Sequence, residues 1–169
     1  MKENKYAWQQ VVLHWISAVV IIWATVTGFW VAFSDVSPKM KEWVGFFNVS
    51  LTTVFIPFFI LRIYYLIRFH KPHAGKRMLI NRIAFLVHML LYINIAVVLI
   101  TGVLMMDRDI NVFHMMTIPR LIENEVIIDL FFTQHVISCF TLTGLVSLHV
   151  LAVVKHELSG RRILRKMTL

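Results

Sequence analysis

Four stretches of the chain, Tyr6–Ser34, Trp43–Leu61, Ile83–Met106 and Leu130–Val154, contain no Asp, Glu, Lys or Arg. Each is about 19 residues or longer, and a helix of that length spans roughly 30 Å, the hydrocarbon thickness of a bilayer. In hydrocarbon every backbone N–H and C=O must find its partner inside the segment, which selects helices. A water-soluble domain of 169 residues could not hide so much apolar surface, with 59% of residues hydrophobic and 15% charged. The expectation is an all-α, integral membrane four-helix bundle. It forms one domain over residues 1–169, with spans at about 9–33, 43–67, 82–106 and 130–154. Arg62 then falls inside the second span, and Pro57 is a place for a kink.

The charges between the spans set the direction. Lys2, Lys5, Arg68, Lys71, Lys76, Arg77, Arg82, Lys155, Arg161, Arg162, Arg165 and Lys166 give 12 bases on one side. Lys39, Lys41, Arg108 and Arg120 give 4 on the other, leaving Arg62 aside. The positive-inside rule predicts cytoplasmic termini and a cytoplasmic second loop. The net charge of +8 is thus spread over membrane loops and is no nucleic-acid surface. The first apolar run is too long for a signal-peptide core, so no cleavage is expected. Trp8, Trp43, Tyr64 and Tyr65 lie near span ends, as interfacial anchors do. The Asn48–Val49–Ser50 run matches a glycosylation acceptor but lies within a span. Cys139 is the single cysteine, which rules out an intramolecular disulfide and disfavours a thiolate-held zinc or iron–sulfur centre.

Direction converts position into depth. The first helix runs outward and the fourth inward, so His14 and His149 both lie near the cytoplasmic face, and His135 near the other. The third helix puts His88 near the inner face. His135 and His149 are fourteen residues apart. At 100° per residue they share one helix face, about 21 Å apart along the axis. Ser138, Cys139, Leu142 and Val146 complete that stripe. The stripe through His14 holds Ser17, Ala18, Ile21, Thr25 and Gly28, mostly small residues that admit a flat macrocycle or another helix.

Ionisable groups in hydrocarbon are costly and usually functional. Two imidazoles at one depth on facing helices suit haem, whose iron takes two axial histidines in a bundle core. Such an iron has no open position and favours electron transfer. A proton relay would want intramembrane carboxylates, which the spans lack. Zinc would want a third ligand at that depth, where only His88 stands. His88 by itself reads as a packing residue. His70, His73 and His156 read as solvated, although His156, seven residues beyond His149, is placed to touch a haem propionate.

The LHW run at Leu13–Trp15, the His135/His149 spacing, the basic KPHAGKR loop and the ILRKMT ending make the chain resemble the bacterial cytochrome b-561 family. These are four-helix di-haem proteins of the inner membrane. The similarity runs over almost the whole chain, and hydrogenase and formate dehydrogenase cytochrome b subunits are similar in layout. The resemblance implies that His14 and His149 ligate the inner haem iron and that His135 supplies one ligand to the outer iron. It also matches Arg62 to a basic residue fourteen positions after a ligating histidine on the second helix. Here that position is Asn48, and the second span holds no histidine. Asparagine is a poor iron ligand. Three outcomes stay open: loss of the outer site, a five-coordinate haem on His135, or a replacement ligand from His114, Met115 or Met116.

The resemblance implies a membrane b-type cytochrome that exchanges electrons with the quinone pool, ubiquinone included, through bis-His haem b. It would be a superoxide:quinone oxidoreductase-like protein or the cytochrome subunit of a larger respiratory-chain dehydrogenase. The alternative is a haem-poor membrane anchor or assembly subunit that docks a peripheral redox protein. Haem stoichiometry separates the two. A small transporter should show interrupted half-helices with inverted symmetry, and none is readable. Arg62, Arg77, Arg82 and Lys155 could polarise a quinone carbonyl at the cytoplasmic rim, but they suit haem propionates or lipid headgroups better.

Overall fold

The computed structural model describes residues 7–69, 78–160 and 164–167. Among the loop and terminal charges and histidines, Lys2, Lys5, His70, Lys71, His73, Lys76, Arg77, Arg161 and Arg162 lie outside the described residues, as does the whole KPHAGKR run. The four apolar runs form four long helices: α1 (Trp8–Phe33), α2 (Pro38–Arg68), α3 (Met78–Leu104) and α4 (Glu125–Leu158). All four are long and apolar enough to cross a membrane.

α2, α3 and α4 each begin about five residues before their uncharged runs, and at α2 and α4 local chemistry explains the start. At α2, Ser37 accepts from Met40 N through its hydroxyl, with Pro38 at the first helical position. At α4, the Asn124 side chain accepts from Val126 N and Ile127 N at 3.0 and 3.3 Å. These caps let charged residues such as Lys39, Lys41, Glu42 and Asp129 ride on helical turns beyond the apolar stretch. Within the spans, hydroxyls satisfy themselves on carbonyls one turn back, as Ser17 does on Leu13 O (2.6 Å) and Thr143 on Cys139 O (2.8 Å).

α1 packs closely along α2, and α3 along α4. The two helical hairpins meet through longer side chains. Val20, Phe55, Phe59, Leu91, Ile95 and Leu142 form the shared core. Val19, Val26, Phe33, Ile60, Ile67, Ile83 and Leu151 are each at least 60% exposed and turn outward, as lipid-facing residues do. The start of α1, the end of α2, the start of α3 and the end of α4 make one rim of the bundle, here the first rim. The opposite, second rim carries an antiparallel hairpin of β1 (Ile110–Val112) and β2 (Met116–Ile118).

That hairpin turns through Phe113 and His114, both with positive φ (47° and 58°). Such backbone strains a non-glycine residue. Side chains hold it there: the buried Ser50 hydroxyl donates to Asn111 O (3.0 Å) and accepts from Phe113 N (3.1 Å). The Asn111 side chain accepts from His114 N (2.8 Å). At the first rim a 3₁₀ turn, Leu164–Met167, folds back so that Trp15 Nε1 donates to Met167 O (3.0 Å).

Candidate functional site

His14 on α1 and His149 on α4 face each other across the two hairpins at the first rim. Their ring centres are 6.5 Å apart, with planes inclined by 62°. Both rings are half-buried. Two imidazoles bonded to opposite sides of one metal, at about 2 Å per bond, place their centres roughly 6 Å apart. The pair therefore matches the donor set and separation of a bis-imidazole iron, and it lies between the two helical hairpins.

Arg62, one turn and a half from the end of α2, joins this pair. Its Nη2 lies 3.0 Å from His14 Nδ1, and its guanidinium carbon stands 4.8 Å over the Tyr92 ring of α3. A guanidinium only donates, so His14 Nδ1 is the acceptor here. The cation–π contact with Tyr92 offsets part of the cost of holding the charge in an apolar setting.

His88 is the residue that sequence reasoning left without a partner. Its ring lies 5.1 Å from that of His149, edge-on at 82°. Its Nδ1 is 2.6 Å from Ala84 O, and because a carbonyl only accepts, Nδ1 carries the proton. The available signal was depth: His88 and His149 sit at one level on neighbouring antiparallel helices. Rotation about each helix axis decides whether two such rings meet, and that is not written in spacing. Among the described residues, no group of three or more His, Cys, Asp or Glu is arranged to hold a metal ion.

The second rim is built differently. His135 turns toward α3. Its Nδ1–H donates to Val98 O (3.1 Å) and lies 3.1 Å from the Thr101 hydroxyl, while Nε2 lies 3.5 Å from Cys139 Sγ on its own helix. The ring fits against Gly102, where an added Cβ would come within 3.1 Å of His135 Cε1. A side chain here would make the ring give by a few tenths of an ångström. Asn48 turns the other way, toward α1: its Nδ2 donates to Thr27 Oγ1 (3.0 Å).

The other residues singled out by sequence fall as follows. His114 stacks on Phe46 of α2 (ring centres 4.7 Å, 26°), with Nδ1 3.3 Å from Asn111 Nδ2. Met115 and Met116 are 88% and 57% exposed. The hairpin thus directs none of these three into a contact with His135 among those seen. His156 is half-buried on the last turns of α4, Arg82 and Lys155 are exposed at the first rim, and Arg77 lies outside the described residues.

A family model described as prokaryotic cytochrome b561 matches residues 5–169. No curated protein matches the chain.

Proposed function

The chain belongs to the prokaryotic cytochrome b561 family, membrane b-type cytochromes that transfer electrons, and from that premise we propose that its haem b is held between His14 and His149 and exchanges electrons with the quinone pool. The observation that carries this reading is the 6.5 Å separation of two imidazoles on helices from opposite halves of the bundle. Bound there, a b-type haem supplies a one-electron couple with no open coordination position. His14 and His149 would hold the iron, each through one ring nitrogen. For His14 to do so through Nε2, its proton moves to Nδ1, and Arg62 then gives up Nδ1 for another acceptor. A haem propionate at this rim is such an acceptor, which assigns Arg62 to holding the cofactor rather than the quinone. The edge of His88 sets the rotation of the His149 ring. The core of Val20, Phe59, Leu91 and Leu142 keeps water from the interior side.

The same reading places the first rim, with its excess of Lys and Arg, on the cytoplasmic face of a bacterial inner membrane. The ligand assignment is tested on the full chain purified in detergent. The native protein should show b-type Soret and α bands in the reduced-minus-oxidised spectrum. His149→Ala and His14→Ala should each lose them or turn high-spin. Native protein without these bands would end the proposal. Reduction of the bound haem by a quinol analogue, followed by the α band, tests the quinone link separately.

A further inference from the structure

The two rims differ in one physical respect. At the first rim, His14 and His149 reach across from opposite helical hairpins. At the second rim, the polar side chains at matching depth each make their contacts inside a single hairpin. Asn48 spends its amide N–H on Thr27 Oγ1 at 3.0 Å, within the α1/α2 pair. His135 spends Nδ1–H on Val98 O, 3.1 Å away, and its Nε2 faces Cys139 Sγ at 3.5 Å, both within the α3/α4 pair. Gly102 admits the His135 ring into the α3 surface, which turns it away from the gap between halves.

The remaining donors do not repair this. Asparagine offers iron a weak amide oxygen, and its orientation here is toward α1. The hairpin at the second rim carries His114, Met115 and Met116, but Ser50, Phe46 and Phe47 clamp it on α2: Phe113 packs edge-on against Phe47 (5.7 Å) and His114 stacks on Phe46. The thioethers of Met115 and Met116 point outward. Between α1 and α4 at this depth, Phe29 and Phe140 meet directly, with ring centres 4.8 Å apart. The donor set and its orientation do not fit a second haem.

We infer that this chain carries one haem, at the first rim, and that the His135 and Asn48 positions form two polar locks that fasten each helical hairpin. The inference rests on the ligand pair proposed above. Its functional content is that electrons enter and leave on one face of the bundle. The second site would have stood about 21 Å further along α4, and without it no relay spans that distance. Donor and acceptor must then both reach the first rim, where Arg62 and the 3₁₀ turn held by Trp15 flank the His14/His149 pair.

The test is haem per polypeptide in the full chain purified in detergent, measured by haemochrome absorbance against quantitative amino-acid analysis, with a redox titration of the α band. The expected result is a ratio near one and a single one-electron transition, both unchanged in His135→Ala. A ratio near two, two resolved transitions, or a lower ratio in His135→Ala would overturn the inference and leave the cytochrome reading standing. Low-spin b-type bands at a ratio near one that survive His149→Ala would overturn both, as would a ratio near zero in the native protein. Because the decisive ratio is read on the native chain, a variant that fails to fold does not weaken the test.

Discussion

At the scale of single residues, the closest fit in the molecule is His135 against Gly102, and it makes a sharp prediction. Gly102→Ala puts a Cβ 3.1 Å from a ring pinned on both sides, so either the ring or the helix must move. Overpacking of this kind costs about 1–3 kcal/mol. Gly144→Ala, where nothing lies within 4 Å of the added carbon, serves as the control and should be near neutral. Thermal midpoints of the two variants in one detergent make the comparison, and equal midpoints would refute the close fit. Asn48 and Thr27 invite a double-mutant cycle with Asn48→Ala and Thr27→Ala. Interhelical hydrogen bonds in membranes average about 0.6 kcal/mol, so a coupling of that order is expected, and zero coupling would mean the bond adds nothing. Imidazoles in hydrocarbon made His14, His149 and His135 stand out, whereas Arg62 and Asn48 were marked by the resemblance to the family's second-helix pattern. The sequence could not tell that His135 and Asn48 face opposite ways, since that depends on helix rotation and on a glycine across the interface.

At the scale of elements, the four helices were legible because uncharged runs of this length have no other use. Their starts were less so. Hydropathy ends where charge begins, whereas a helix ends where its last backbone group is capped, and Ser37 and Asn124 set those points for α2 and α4. The β-hairpin escaped the sequence altogether, because Phe113 and His114 are not residues that turns with positive φ ordinarily use. It exists through long-range contacts with Ser50 and Phe46. The return of the C-terminal turn to α1 likewise hangs on one donor. Trp15→Phe keeps the ring and removes the N–H to Met167 O, a loss of roughly 1 kcal/mol. The expected outcome is faster proteolysis near Leu164 with the helices intact, and an unchanged cleavage rate would mean that the turn is held by other contacts.

At the scale of the whole molecule, orientation is the open expectation with the simplest check. Reporter fusions after residue 158 should score as cytoplasmic, and fusions within the β1–β2 hairpin as external; the reverse pattern would invert every depth assigned here. The bundle also has a seam. Each half is internally complete: α1/α2 carries its own Asn48–Thr27 bond, and α3/α4 its own His135–Val98 bond. Across the seam stand mainly apolar and aromatic side chains and the facing pair His14 and His149. The halves meet through the apolar core of Val20, Phe55, Phe59, Leu91, Ile95 and Leu142 and through the Arg62–Tyr92 contact, so joining them is a matter of side-chain fit between two hairpins that hold most of their own polar bonds.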